Sequence, residues 1–129
     1  MKIKIEKLYN GFVQATAYAG LFRKKELGVI VMSAEANCFW LTHFRVRESY
    51  RNKGIGKLLL QAMIEEAVRA GGKELAVWPS SETYDEEKPV DEELLYKIYE
   101  KLGFRFDAED SDGSEFNIKR MIIKFDVAN

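Results

Sequence analysis

Hydrophobic and charged residues alternate at the start of the chain, where residues 2–6 read Lys-Ile-Lys-Ile-Glu. A period of two is typical of a half-buried β-strand, so a first strand is predicted here. An Asn-Gly dipeptide at positions 10 and 11 predicts a tight turn, with a second strand of a hairpin over residues 12–21. Two more β-rich runs, residues 25–35 and 38–46, extend the hairpin to an antiparallel meander of four strands.

The hydrophobic period changes to that of a helix after the fourth strand. Apolar residues recur every three or four positions from Gly54 to Ala70, and two consecutive glycines then end the predicted helix. Residues 73–79 are predicted to form a fifth strand, which ends at a proline. The apolar positions of the helix are Ile55, Leu58, Leu59, Ala62, Met63 and Ala67.

A second helix is predicted after a polar, strongly acidic stretch at residues 80–90, called the acidic loop below. Asp91 can cap this helix and Gly103 can close it. Residues 104–106 and 118–126, joined by a turn around positions 112 and 113, suggest a final hairpin. The predicted inner face of the second helix consists of Leu94, Leu95, Ile98 and Leu102.

These elements predict an α+β fold with one mixed, mostly antiparallel sheet of about six to seven strands and two main helices. A helix separates the fourth and fifth strands, so these two strands are expected to be parallel. With 129 residues, of which 47% are hydrophobic, the chain is most simply one domain, residues 1–129, with a packed core.

The overall charge favours neither nucleic acid nor a membrane as a partner. The formal net charge is -1, so any anion site must be built by a local group of cations. Cys38 is the only cysteine, which excludes an internal disulfide and fits a reducing compartment. The first residues lack the apolar core of a signal peptide, and no run approaches the ~18 apolar residues of a membrane span. We therefore expect a soluble, cytoplasmic protein.

The stretch from Phe44 to Leu60, which reads FRVRESYRNKGIGKLLL, carries the strongest chemical signal. Two glycines stand at the start of the first helix, although glycine is a poor residue for starting a helix. The first N–H groups of a helix have no partners within it and carry a partial positive charge, and glycine lets a ligand approach them closely. With Arg51, Lys53 and Lys57 nearby, the stretch predicts a site for a pyrophosphate or a similar anion.

Two familiar phosphate motifs do not fit this stretch. A P-loop requires a hydroxyl residue after the Gly-Lys pair, and Leu58 occupies that position. A dinucleotide fold requires a third glycine where Leu59 stands, and it expects the motif early in a wholly parallel unit. Both interpretations fail on these grounds.

A third interpretation accounts for two motifs at once. The pattern Arg-x-x-Gly-x-Gly, formed by Arg51, Gly54 and Gly56 directly after a strand, resembles the acetyl-coenzyme A loop of the GNAT superfamily of N-acetyltransferases. The segment YEKLGF, from Tyr99 to Phe104, resembles the C-terminal segment of the same family. The resemblance extends over about residues 26–125, including the order of the strands and helices.

The resemblance implies acetyl-coenzyme A (acetyl-CoA) as the co-substrate. It further implies that the pantetheine arm lies between strands four and five, along the backbone of Phe44, Arg45 and Val46, with the Val46 N–H polarising the thioester carbonyl. In this family, backbone amides of the glycine loop bind the coenzyme A pyrophosphate. The corresponding residues here are Arg51, Asn52, Lys53, Gly54, Ile55, Gly56 and Lys57.

The resemblance also implies that Tyr99 protonates the departing thiolate, the alternatives being a purely structural Tyr99 or the use of Tyr96 instead. Alternation from Val46 puts Phe44, Thr42 and Trp40 on the face of strand four where relatives often carry a base. None of the three is a base.

His43, the only histidine, should point to the other face of strand four unless a β-bulge intervenes, so it is a candidate general base beside a structural alternative. Glu35 is a second candidate, with a solvated hairpin residue as its alternative. Glu92 stands where many relatives have an asparagine that contacts the pantetheine, and that contact is therefore in doubt. No metal site is expected.

The acceptor side is the least defined part of the prediction. The Asn-Gly turn leaves no room for the helices with which relatives cover this side, so the groove should be shallow or completed by another subunit of a homodimer. The acidic loop could attract a cationic amine or could be simply solvated. The aromatic residues Trp40, Trp78 and Tyr84 could line either an acceptor pocket or a dimer contact.

The leading hypothesis is direct transfer of the acetyl group of acetyl-CoA to a primary amine of a small molecule, peptide or protein. The alternative is a non-catalytic module that binds coenzyme A, suggested by the absent lid helices and the absent carboxylate on strand four.

Overall fold

The structure, a computed structural model, describes residues 1–20, 25–35, 38–107 and 119–125, without the side chains of Glu35 and Cys38. Within these residues, seven strands form one mixed sheet in the order β1-β2-β3-β4-β5-β7-β6. β4 and β5 are parallel, and the other neighbours are antiparallel. The strands are β1 (Lys2–Lys7), β2 (Phe12–Ala19), β3 (Lys25–Glu35), β4 (Cys38–Val46), β5 (Glu74–Val77), β6 (Arg105–Phe106) and β7 (Met121–Lys124).

Two α-helices connect the later strands, α1 (Ile55–Arg69) between β4 and β5 and α2 (Glu92–Leu102) between β5 and β6. The predicted fold class is therefore confirmed, including the parallel β4–β5 pair. No helix in the described part of the chain is long and apolar enough to cross a membrane. The predicted turn at positions 112 and 113 lies outside the described residues.

A single turn of 3-10 helix, Tyr9–Gly11, joins β1 to β2, so the predicted hairpin is confirmed and no α-helix lies between these strands. Asn10 and Gly11 both adopt positive φ angles, 64° and 77°, which these two residue types tolerate better than others. A short connection at this point leaves the first two strands without a covering helix of their own.

The core lies between α1 and the central strands. Leu59, Met63 and Ala67 recur at intervals of four residues, are all fully buried, and belong to the same core cluster as Ala15 and Ala17 of β2. Gly28 of β3 lets the helix approach the sheet closely, since an added Cβ there would lie 3.2 Å from Leu59 Cδ1.

The predicted inner face of α2 is only partly correct. Leu94 and Ile98 are 52% and 40% exposed, whereas Tyr99 is 5% exposed and belongs to the core. The buried stripe runs instead through Leu95, Tyr99 and Leu102, because Tyr99 provides the inward anchor of the helix. Its ring makes edge-on contacts with the rings of two phenylalanines, Phe44 and Phe104, at centroid distances of 6.1 and 5.4 Å.

Candidate functional site

The start of α1 presents an open corner of backbone N–H groups. Gly54 is the N-cap residue in the left-handed conformation, with φ 83°, and an added Cβ would meet no atom within 4 Å. Among the described residues, no side chain caps the helix and no acidic residue lies in its first turn. Because these N–H groups have no partners within the helix, the corner can bind an anion.

The three predicted cations of this corner have different environments. The Arg51 Nε donates a hydrogen bond to the Val46 carbonyl at 3.0 Å, and its terminal nitrogen donates to Glu87 Oε1 at 3.4 Å. Lys53 and Lys57 are exposed on either side of Gly54. Arg51 therefore holds the loop against the end of β4, while the two lysines can approach a bound anion. Asn52, between Arg51 and Lys53, has a positive φ of 64°.

β4 and β5 separate on the sheet side of this corner. Their recorded pairing in the described residues is Trp40 with Ala76, after which β4 continues to Val46 while β5 ends at Val77. A cavity of about 370 Å³ lies between the separated strands. It is lined by Leu41, Thr42, His43, Phe44, Val77, Trp78, Ser80, Ser81, Glu82 and Tyr99.

A β-bulge in β4 determines which side chains face this cavity. Val31 of β3 pairs with His43, and the next residue, Met32, pairs with Leu41, so that Thr42 is the extra residue of β4. The Thr42 hydroxyl donates a hydrogen bond to the Val31 carbonyl at 3.4 Å. The bulge therefore reverses the alternation of β4 at this point.

The expectation that Trp40, Thr42 and Phe44 share one face of β4 is wrong for Trp40. Because the bulge intervenes, the buried Leu41 and the inward-facing Phe44 lie on the same side, and Trp40 is turned outward against Trp78 at a centroid distance of 5.6 Å. His43 follows the bulge in the chain, so it lies on the face of β4 opposite Phe44 and Val46, as alternation from Val46 predicts. There it contacts Glu82, and it is one of the residues that line the cavity.

The backbone of β4 turns two N–H groups toward the cavity edge. The Arg47 N–H donates to the Leu27 carbonyl of β3 at 2.8 Å, so the N–H groups of Val46 and Phe44 face the opposite edge. Phe44 lines the cavity, whereas Val46 is not among the lining residues. Phe44 and Tyr99 thus both line the cavity, and their rings are in contact.

Tyr99 reaches the cavity from α2. Burial, with a smaller contribution from the nearby Glu82 carboxylate, raises the pKa of its phenol well above the ordinary value. The phenol is therefore neutral at pH 7 and holds its proton more tightly than a free tyrosine does. The alternative acid, Tyr96, does not line the cavity, and its hydroxyl donates to Glu92 Oε1 at 3.2 Å.

Glu82, in the acidic loop, is the cavity residue that the sequence did not single out. Its Oε2 accepts a hydrogen bond from the Phe44 N–H at 3.2 Å, and its Oε1 lies 2.6 Å from an Arg45 guanidinium nitrogen and 3.1 Å from His43 Nδ1. The two partners Phe44 and Glu82 are 38 residues apart, so no local spacing reveals the contact. The only signal was the unusual acidity of the loop.

The acidic loop is packed against β4 rather than simply solvated. The Tyr84 ring lies 4.9 and 4.1 Å from the guanidinium carbons of Arg45 and Arg47, and its hydroxyl donates to Glu26 Oε2 at 2.6 Å. Tyr84 therefore packs against β4 and is not among the residues that line the cavity. Glu87 accepts hydrogen bonds from two backbone N–H groups, those of Glu48 at 2.9 Å and Tyr84 at 3.1 Å.

These hydrogen bonds lower the pKa of the Glu87 carboxyl, with a smaller contribution from Arg51 and Arg47. Glu87 thus joins the acidic loop to the segment that precedes α1. The Glu35 side chain, the other candidate base, lies outside the described part of the structure.

Comparisons with known proteins agree with this geometry. A sequence model of the acetyltransferase (GNAT) domain matches residues 11–106, about three quarters of the chain. Among curated proteins, no sequence matches significantly.

Solved structures share the fold over most of the chain. The IAA acetyltransferase from Bacillus cereus is 21% identical, with 89% of this chain and 79% of that chain covered and a TM-score of 0.64. The PaiA N-acetyltransferase from Thermoplasma acidophilum, solved with coenzyme A, is 23% identical, with coverages of 88% and 60% and a TM-score of 0.63. The acetyltransferase from Bacillus subtilis, also solved with coenzyme A, is 23% identical, with coverages of 91% and 79% and a TM-score of 0.62.

Proposed function

The chain belongs to the GNAT acetyltransferase family, and on that premise we propose that it transfers the acetyl group of acetyl-CoA directly to a primary amine. The observation that carries the proposal is the cavity between the separated ends of β4 and β5, which has the Phe44 N–H and Tyr99 in its wall and the open start of α1 beside it. The co-substrate is acetyl-CoA, which agrees with the coenzyme A present in structures of the same fold. The acceptor is a small molecule, a peptide or a protein side chain.

The coenzyme binds along the separated edge of β4. Its pyrophosphate lies on the backbone N–H groups between Arg51 and Lys57, where the helix start and the exposed Lys53 and Lys57 favour negative charge. The pantetheine arm follows the backbone of Phe44, Arg45 and Val46, which places the thioester in the cavity. Because Phe44 lines the cavity and Val46 does not, the Phe44 N–H replaces the Val46 N–H as the donor that polarises the thioester carbonyl.

Transfer then needs one bond to form and one to break. The neutral amine attacks the thioester carbon, and the Phe44 N–H stabilises the negative oxygen of the tetrahedral intermediate. The carbon–sulfur bond breaks, and the leaving sulfur takes the phenolic proton of Tyr99. As the amide forms, the attacking nitrogen loses a proton to solvent. Tyr99 regains a proton from solvent, so its phenol returns to the starting state.

The amine must lose a proton before it can attack. An alkylamine has a pKa near 10.4, so making it neutral at pH 7 costs about 4.6 kcal/mol. His43 lines the cavity and is the candidate base; its Nδ1 is next to the Glu82 carboxylate, which leaves Nε2 as the nitrogen that can accept the proton. His43 then releases this proton to solvent, so that the net reaction gives the amide, the free thiol of coenzyme A and one proton.

One observation favours the second candidate function, a non-catalytic module that binds coenzyme A. The Phe44 N–H, which should polarise the thioester, already donates to a protein carboxylate. A module that only holds coenzyme A would not need this donor.

A thiol-release assay separates the two functions. Purified protein is incubated with acetyl-CoA and a panel of primary amines, and the acetylated product is identified by mass spectrometry. We expect thiol release in proportion to product, and a fall in kcat of about 10²- to 10⁴-fold in Tyr99→Phe. Tyr96→Phe, which changes a tyrosine of the same helix outside the cavity wall, is the matched control and should keep its activity. Binding of coenzyme A without thiol release for any amine would support the non-catalytic module.

A further inference from the structure

The Glu82 carboxylate accepts a hydrogen bond from the Phe44 N–H, the backbone donor that the proposed reaction requires. We propose that the Glu82 carboxylate competes with the acyl carbonyl of acetyl-CoA for the Phe44 N–H, and thereby sets how strongly the site distinguishes acylated from unacylated coenzyme A. This inference rests on the proposed function, because it assumes that the thioester carbonyl lies at the Phe44 N–H.

The competition follows from the geometry of one donor. The Phe44 N–H points away from β3 and donates to Glu82 Oε2 at 3.2 Å. A backbone N–H has a single hydrogen, so it cannot serve the carboxylate and a thioester carbonyl equally well. An incoming acyl group must therefore displace Oε2, whereas a coenzyme without a carbonyl at this position leaves the hydrogen bond in place.

Glu82 can leave the Phe44 N–H without becoming an unpaired charge. Its other oxygen is held by the Arg45 guanidinium at 2.6 Å and lies 3.1 Å from His43 Nδ1. The displacement thus needs only a small movement of one carboxylate oxygen rather than unfolding of the loop.

The rest of the acidic loop keeps Glu82 close to the donor. Tyr84 is fixed between Arg45 and Arg47, and Glu87 is fixed by the Glu48 N–H and by Arg51. These contacts hold the loop against β4 and the segment before α1, so the carboxylate returns to the Phe44 N–H when the acyl group has left.

The direction of the effect follows from the strengths of the two hydrogen bonds. A hydrogen bond to a carboxylate is roughly twice as strong as one to a neutral carbonyl. In the natural protein, the hydrogen bond from the Phe44 N–H to the acyl carbonyl therefore adds little to the affinity for acetyl-CoA, because the carbonyl must first displace a stronger acceptor. Without Glu82, the carbonyl displaces only water, and its hydrogen bond adds to the affinity.

The test compares two ligands that differ in the carbonyl oxygen alone. Calorimetry measures the Kd of acetyl-CoA and of S-ethyl-coenzyme A, a thioether with the same two carbons and no carbonyl. In the natural protein, we expect the Kd of S-ethyl-coenzyme A divided by that of acetyl-CoA to be near one. In Glu82→Ala, this ratio should rise by about threefold to tenfold through tighter binding of acetyl-CoA. Glu86→Ala, the same change at an exposed position of the acidic loop, is the control and should leave the ratio unchanged.

Each outcome has one meaning. If the natural protein binds neither ligand, the proposed function fails and this inference with it. If both ligands bind but Glu82→Ala leaves the ratio as it was, only the inference is overturned. If Glu82→Ala does not fold, Glu82→Gln, which keeps the size of the side chain and removes its charge, provides the test. For that variant we expect a rise of about twofold to fivefold, and no rise overturns the inference.

Discussion

Gly54 and Gly56 stand two residues apart in the same motif, but the structure gives them different roles. Gly54 has a φ of 83°, and an added Cβ would meet no atom. An alanine at this position causes no steric clash, so it destabilises the fold only through the unfavourable left-handed backbone conformation, by about 1–2 kcal/mol. Gly56 lies inside α1 with an ordinary φ, and its added Cβ would meet the Phe44 ring at 3.6 Å, an ordinary contact distance.

The two alanine variants should therefore differ in stability, with only Gly54→Ala destabilised. For a chain of this length, the unfolding entropy predicts that Gly54→Ala lowers Tm by about 4–8 °C. Gly56→Ala should leave Tm unchanged or raise it by up to about 4 °C, because alanine is favoured over glycine inside a helix by up to ~1 kcal/mol. Thermal unfolding followed by circular dichroism measures both values. A Gly54→Ala protein as stable as the natural one would refute the left-handed N-cap.

Gly54→Asp extends the same experiment to ligand binding. Its carboxylate adds negative charge at the start of α1, where we propose that the pyrophosphate binds. Its thermal stability should be at least that of Gly54→Ala, because aspartate tolerates the left-handed conformation better and its charge favours a helix start. Its affinity for coenzyme A should nevertheless be at least about tenfold lower than that of the alanine variant. Equal affinities of the two variants would argue against a pyrophosphate at this corner.

Two further predictions concern the scaffold. Leu59→Ala should lower the free energy of unfolding by about 2–5 kcal/mol because Leu59 is fully buried, whereas Leu58→Ala, at a position that is 42% exposed, should cost less than ~1 kcal/mol in urea unfolding. Because the pKa of Glu87 is lower in the folded than in the unfolded protein, its ionised form stabilises the fold above about pH 4.5, and this contribution is lost as the pH falls through the folded-state pKa. Glu87→Gln should therefore be less stable than the natural protein at pH 7, by about 1–3 kcal/mol, with the difference shrinking toward pH 3 in Tm measurements; a difference independent of pH would contradict this.

The sequence was informative wherever the signal is local. The bounds of β3 and β4 agree with the two β-rich runs, and the glycines at positions 54 and 103 lie at the helix ends that their conformational freedom predicts. In each case the deciding interaction lies within a few residues along the chain, so pattern and propensity are sufficient.

The sequence was uninformative where partners are distant in the chain. The bulge at Thr42 depends on how β4 pairs with β3, and Tyr99 faces inward because it meets rings from β4 and from the segment after α2. Hydrophobic spacing alone assigned Ile98 to the inner face of α2, since isoleucine fits the period as well as its neighbour does. Tertiary packing, not spacing, determines that Tyr99 faces inward and Ile98 does not.

The bulge and the acidic loop together explain why the cavity has two chemically different sides. Because the bulge reverses the alternation of β4, Phe44 faces α2 and Tyr99, while His43 and Arg45 turn to the side where Glu82 lies. Without the extra residue, the side chains after Thr42 would exchange faces, and the Arg45–Glu82 pair could not form on this side. The register of β4 therefore has two effects. It brings Phe44 into contact with Tyr99, the proposed acid, and it brings the Glu82 carboxylate to the Phe44 N–H, the donor that the thioester requires. A substitution that straightens β4 should consequently disturb both features at once, whereas a change in Glu82 alone disturbs only the second.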